Sequence, residues 1–278
     1  MVLLILTDFS EAATNAAHYA VGLSKQLQIE KIVLYHSIET AHMATELPLP
    51  SETERRHLYE ISDQKLKHLK EDLQTSLTQG ITIEVLTDER PLEISAQAVA
   101  RETNAGLLIL GTTHRTGIEK MIYESTASLL STTCTRPLLI VPLKTRYEPI
   151  GNMVFATDLR QVSAQTPVNE IRKFKELLQA RLLVLNIFKE DDGGEPDQIM
   201  AEQTALHELL DEEHPEFHYS GSKHVVDGIL KFISEHQIQL VITVPRKHSF
   251  LDAIFHPSIT KSLASRSNIP LLLLHPEP

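Results

Sequence analysis

The sequence predicts an α/β protein of two doubly wound, five-stranded parallel-sheet domains in tandem, and three observations carry that expectation. First, 107–141, LLILGTTHRTGIEKMIYESTASLLSTTCTRPLLIV, reads as strand, glycine-bearing loop, helix and strand, the βαβ unit of a parallel sheet. Second, 240–274, LVITVPRKHSFLDAIFHPSITKSLASRSNIPLLLL, aligns with it without a gap at an offset of 133, pairing Leu107 with Leu240, Ser125 with Ser258 and Pro137 with Pro270. Third, the opening LLILTDFS at 3–10 is answered by MVFATDLR at 153–160. A repeat near half the chain predicts two domains, 1–145 and 150–278, joined through the proline-bearing PLKTRYEPI.

The elements follow in order. Val2 to Leu6 is an unbroken apolar strand, and Ser10 is an N-cap for a helix from about Glu11 to Leu27 with alanines at helical spacing. Lys31 to Ser37 is a second strand. A proline-bearing loop leads to a long amphipathic helix, about Glu52 to Leu77, with Leu58, Ile61, Leu66, Leu69 and Leu73 inward. Ile81 to Leu86 is the third strand, Pro91 opens a helix to about Glu102, and Ala105 to Leu110 is the fourth strand, stopping at Gly111. A helix after Gly117 and the strand Leu138 to Val141 complete the domain. In the second half the strands are Met153–Ala156, Arg181–Phe188, Phe217–Ser220, Ile238–Val244 and Ile269–Leu274. The helices run near 164–179, 197–212 and 225–236. The offset falls from 150 at the first strand to 133 at the fourth, so the middle of this half is 17 residues shorter.

Bulk properties narrow the classes. Apolar content of 42% and charged content of 23% across 278 residues suit globular domains. The net charge of −11 divides as −5 for 1–145 and −6 for 146–278, which argues against nucleic acid as a partner. No apolar run is long enough to span a bilayer, and MVLLILTD reads as a first strand and not a signal peptide. The one cysteine, Cys134, suits a reducing cytoplasm and reads as a packing residue. His207-Glu208 lacks the second histidine of an H-E-x-x-H helix, and the 14 histidines show no ligand spacing, so no metal site is expected.

TDFSE at 7–11, the element order and the loop after the fourth strand resemble the universal stress protein family, with two copies of its Rossmann-like domain in one chain. The resemblance implies a cytoplasmic, non-enzymatic stress-response regulator with ATP, and Mg²⁺ beside it, in domain 1; slow ATP hydrolysis is the most that any catalysis would amount to. It also implies that Asp8 lies near the adenine, with backbone contacts at Ser37, and that phosphates meet the family's G-x2-G-x9-G-[ST] loop. Gly111 takes that pattern's first place, His114 the second, Glu124 the third and Ser125 the hydroxyl position, with Thr113, Arg115, Gly117 and Thr126 alongside.

The departures have physical content. Glycines let backbone approach phosphate oxygens, His114 can still donate to one, and Arg115 offers a compensating charge. Glu124 would repel a triphosphate unless a cation or proton intervenes. In the second domain Val244, Lys247 and Pro257 stand at the glycine places. Asp158 and Ser258 remain there, and Arg246, Lys247 and His248 form a small basic cluster. That cluster reads either as an anion contact or as a solvated loop offsetting nearby acids.

Asp8 and Asp158 are equally well explained by hydrogen bonds to loop amides. The alternative function is an adaptor whose degenerate pockets bind no nucleotide, or another small ligand. In this family the last strand commonly pairs with that of another domain, which implies an intramolecular pseudo-dimer through 138–141 and 271–274, with further homodimerisation open.

Overall fold

The computed structural model describes residues 1–38, 51–112, 130, 134–188, 196–245 and 268–276. The chain divides into two compact units, Met1–Tyr147 and Glu148–Pro278.

In the first unit β1 (Val2–Leu6) is buried throughout. It is followed by α1 (Glu11–Leu23), β2 (Lys31–Ser37), α2 (Glu52–Gln74), β3 (Thr82–Asp88), α3 (Leu92–Glu102), β4 (Ala105–Thr112) and β5 (Leu138–Pro142). The strand order is β3-β2-β1-β4-β5, and every pair is parallel. The chain winds outward from β1 to β3, then returns to β4 on β1's other side. The carboxyl ends of β1 and β4 therefore flank the switch point, where an open α/β sheet leaves a crevice.

Local chemistry explains the boundaries. The Ser10 hydroxyl caps α1 by accepting from Ala13 N at 3.2 Å. Ala12, Ala13, Ala16, Ala17 and Ala20 are all buried, so α1 lies close against the sheet. The helix ends at Leu23, four residues before the sequence predicts, where the Ser24 hydroxyl donates back to Val21 O at 2.7 Å. Helix α2 opens on a capping box between Ser51 and Glu54. Leu66, Leu69 and Leu73 are its buried face, whereas Leu58, expected inward, is 37% exposed. Strand β3 runs on to Asp88, past the expected Leu86, because Thr87 and Asp88 find partners in His36 and Ser37 of β2. Pro91 stands at the N-cap of α3 and not within its first turn.

The second unit contains β6 (Asn152–Ala156), α4 (Val162–Gln165), α5 (Val168–Leu178), β7 (Arg181–Phe188), α6 (Pro196–Leu210), β8 (Glu216–Gly221), α7 (Val225–Glu235), β9 (Leu240–Thr243) and β10 (Leu271–Leu273). Its order, β10-β9-β6-β7-β8, is the first unit's read from the other edge, again all parallel. The single helix expected over 164–179 is two helices. Pro167 has no N–H to give and keeps Thr166 extended (φ −86°, ψ 115°), so the chain breaks there.

A one-turn 3₁₀ segment, Asp211–Glu213, follows α6 and is tied to α5 through buried Glu213. Arg172 Nε donates to its Oε1 at 2.5 Å and Lys175 Nζ to its Oε2 at 3.0 Å. Burial acts to raise the Glu213 carboxyl, but these two cations outweigh it and hold it below the usual range.

Candidate functional site

The candidate site of the first unit is built on the turn that leaves β1. Thr7 N donates to Tyr35 O at 2.9 Å, which extends the β1–β2 ladder by one residue. The chain then reverses through Phe9 in the left-handed region, φ 65°, a conformation that costs a bulky residue roughly 1–3 kcal/mol. Side chains of the turn satisfy its amides. Phe9 N donates to Thr7 Oγ1 at 3.0 Å and Ser10 N to Asp8 Oδ1 at 3.0 Å. The carbonyl of Thr7 accepts from His36 Nδ1 at 2.8 Å. A carbonyl can only accept, so Nδ1 carries the hydrogen.

Asp8 is left exposed at the mouth, beside Phe9. The His36 ring lies 4.4 Å from the Phe9 ring at 46°, and Lys65 Nζ stands 5.3 Å from the Phe9 centroid. Burial is the main force lowering the His36 pKa, with Lys65 adding to it and Thr7 and Asp8 opposing.

The second unit repeats this turn bond for bond, 150 positions on. Thr157 N donates to Leu185 O at 2.9 Å, Leu159 N to Thr157 Oγ1 at 3.2 Å and Arg160 N to Asp158 Oδ1 at 3.1 Å. Leu159 has φ 55°, and Asn186 Nδ2 donates to Thr157 O at 2.9 Å where His36 serves the first unit. Two differences matter. Leu159 is buried where Phe9 is half-buried. The next helix is capped by a carboxylate from α6: Gln161 N and Val162 N donate to Glu202 Oε1 and Oε2 at 3.1 and 2.7 Å. A shallow pocket beside it is bounded by Thr157, Asp158, Val162, Gln165, Thr166 and Val244. Its described rim thus presents the carboxylate of Asp158 with that of Glu202 nearby.

At the end of β2, the Ser37 hydroxyl donates to Arg90 O at 2.7 Å, and Ile38 N donates to Asp88 O at 2.6 Å. Arg90 grips Asp88 with Nε and Nη2 on Oδ2 at 2.8 and 2.5 Å, and this hydrogen bonding holds the Asp88 carboxyl below its usual range. Gly111 is not in a loop. It belongs to β4, paired with Val141, and a Cβ added to it would stand 2.2 Å from Ala12 O in the first turn of α1. The apolar run ends at Leu110 but the strand, expected to stop at Gly111, does not; the glycine is there so that helix and sheet can touch. Thr112 is the last residue of β4, and its Oγ1 is buried with no hydrogen-bond partner among the described residues.

Of the residues singled out from sequence, Asp8 in the turn after β1, Ser37 at the end of β2 and Gly111 one residue before the end of β4 lie at the carboxyl edge of one parallel sheet, and Asp158 holds the place matching Asp8 in the other unit. Thr113, His114, Arg115, Gly117, Glu124, Ser125, Thr126, Arg246, Lys247, His248 and Ser258 lie outside the described residues. Sequence reasoning missed His36, Lys65, Asn186 and Glu202. A polar residue late in the second apolar strand of both halves, His36 and Asn186, was the available signal. Cys134 is buried, and burial raises its thiol pKa, in keeping with a packing role. Among the described residues no three His, Cys, Asp or Glu side chains are grouped to hold a metal ion, and no helix is long and apolar enough to cross a membrane.

The strand order and the self-satisfied turn after β1 define a doubly wound α/β protein with its crevice beside the first and fourth strands. The family model described as the Universal stress protein family matches residues 1–142, and the chain belongs to that family. Among solved structures it is similar to a universal stress protein from Archaeoglobus fulgidus, with a TM-score of 0.70 at 16% identity, covering 99% of this chain and 96% of that one. It is similar also to a putative universal stress protein from Pseudomonas aeruginosa, with a TM-score of 0.53 at 13% identity, covering 99% and 93%. The cytoplasmic domain of a prokaryotic cation chloride cotransporter gives a TM-score of 0.55 at 10% identity, covering 98% and 93%. At such identities the likeness is one of fold. No curated protein matches the chain.

Proposed function

We propose that the chain is a tandem universal stress protein that regulates by binding and not by catalysis, with an adenine nucleotide, ATP with Mg²⁺, as the ligand of its first unit. The observation that carries this reading is the turn after β1. Asp8 is exposed at the switch point with one carboxylate oxygen engaged by Ser10 N, and the half-buried Phe9 ring lies beside it. A carboxylate and an aromatic face suit the donor groups and flat ring of a nucleoside. The phosphate end falls to the stretch from Thr113 to Thr126.

The bond-for-bond repeat of the turn at Thr157–Arg160 supports a second domain of the same family after residue 150. The last strands, β5 and β10, each close one edge of their own unit's order and are the segments proposed to pair within the chain. Polar substitution at Ile140 and Leu273 together would lower stability or change solution size if they do; no change in either would sink the pairing.

An adaptor role draws support from two observations. Gly111 is accounted for by packing alone, and Glu202 already occupies the helix amides of the second unit. Calorimetric titration of nucleotide-stripped protein with ATP and Mg²⁺, repeated on Glu124→Gly, separates the readings. Saturation near one ATP per chain supports the regulator. Binding restored only by the glycine shows a pocket closed by Glu124. Heat from neither favours the adaptor.

A further inference from the structure

We propose that His36 is a positioning residue for the loop that presents Asp8, clamping the Thr7 carbonyl through Nδ1–H and coupling this loop to pH through a clamp that titrates, where its counterpart Asn186 does not. The clamp itself stands on two independent copies. His36 holds Thr7 O at 2.8 Å, and Asn186, at the same station 150 residues on, holds Thr157 O at 2.9 Å. In both units the clamped carbonyl belongs to the residue whose hydroxyl accepts the next amide but one, and the following aspartate accepts the amide after that. Locking that carbonyl fixes the peptide plane from which the left-handed residue and the aspartate are hung.

The asymmetry lies in what the clamp can become. An asparagine amide is neutral at every physiological pH, whereas an imidazole with its hydrogen on Nδ1 can take a second at Nε2. Protonation leaves the bond to Thr7 in place, because Nδ1–H donates in both forms. It adds a positive charge to a ring whose charged neighbours among the described residues are Asp8 from the turn and Lys65 from α2, with the uncharged Phe9 ring against it. Asp8 is then offset from within, and a neutral ligand whose N–H or O–H groups it would accept binds less well. Burial holds His36 neutral until the pH falls below the ordinary histidine range, so the response comes with acidification. In the second unit the clamp on the loop of Asp158 is Asn186, which does not titrate.

The coupling to ligand rests on the nucleoside reading of the site; the clamp does not. The test uses the whole chain as wild type, His36→Asn and His36→Leu, with adenosine as a probe that has no titrating group between pH 5.5 and 8. At pH 8, His36→Leu should weaken adenosine about tenfold, and His36→Asn should recover most of that loss. On lowering the pH to 5.5 the wild-type affinity should fall, while that of the Asn variant stays level.

Long-range ¹H–¹⁵N spectra should show His36 as the Nδ1–H tautomer. The amide shifts of Phe9 and Ser10 should follow its titration in wild type, move in the Leu variant, and not titrate in the Asn variant. An Nε2–H tautomer, or first-loop amides indifferent to His36→Leu, would overturn the clamp. If wild type binds no adenosine, the nucleoside reading fails and the spectra still decide the clamp. Equal pH profiles for wild type and the Asn variant would overturn the coupling.

Discussion

Gly111 and Ala12 are in contact through their main chains: a Cβ on the glycine would stand 2.2 Å from the alanine's carbonyl oxygen and 2.7 Å from Ala13 N. Neither obstacle is the end of a flexible side chain, so Gly111→Ala can be accommodated only by moving α1 away from β4. The expected cost is about 3 kcal/mol, at the upper end for overpacking, seen as a lower thermal midpoint. Gly80→Ala is the contrasting case. Nothing lies within 4 Å of the added Cβ, but φ is +95°, so the penalty is conformational and nearer 1 kcal/mol.

Asp8 has two separable jobs. Asp8→Asn keeps an oxygen for Ser10 N, so thermal stability should stay within about 0.5 kcal/mol of wild type, while Asp8→Ala should lose about 1 kcal/mol with the turn bond. If Asp8 also receives a ligand, both substitutions reduce nucleotide affinity by a comparable factor. Calorimetry beside thermal melts checks the pair, and a ligand affinity unmoved by Asp8→Asn would leave the residue a purely structural one.

Acid should weaken the second unit through His218. Its ring lies 4.9 Å from those of His236 and Phe232, and its buried Nε2 makes no hydrogen bond among the described residues, the half-exposed Glu216 carboxylate standing off at 3.8 Å. Burial first, then His236 and Arg181, lower its pKa. The folded state therefore favours neutral imidazole. This contribution to stability is intact above the unfolded value of about 6.5 and is lost as pH drops below it. Melts between pH 7.5 and 5.5 should show a shallower acid slope for His218→Phe than for wild type. The slope should not vanish, because burial lowers His36 and His275 as well. An identical slope in the variant would refute the assignment.

Ser51→Ala removes the hydroxyl that Glu54 N meets at 3.3 Å and dissolves the capping box of α2. Because residues 52–60 are all exposed, the loss of about 1 kcal/mol should appear as faster amide exchange in the first turns of α2, with little change in the global midpoint.

Most strands were legible because a doubly wound sheet buries both faces, so β1, β2 and β7 stand out as unbroken apolar runs; Ser10 announced α1 through its own chemistry. Strand ends were less legible. Thr87–Asp88 and Gly111–Thr112 continue strands only because a neighbour is there to pair with, which is a property of the sheet and not of the segment. The break at Pro167 was written in the sequence, because a proline opens a helix more readily than it continues one, yet the helix expected over 164–179 runs through it. At the site, Asp8 could be read from its place after β1. The bond from His36 to Thr7 could not, since it spans 29 residues of chain and depends on register.

The alanine face of α1 has a mechanical consequence. Ala12, Ala13, Ala16, Ala17 and Ala20 have no rotamers to exchange, and where the helix meets β4 the two main chains already touch. That seam cannot breathe by repacking side chains; it can only stay shut or open as a whole. The turn carrying Asp8 springs from one member of the seam and Thr112 ends the other, so the gap between them behaves as a fixed gauge. What fits there is set by the dimensions of a rigid jaw.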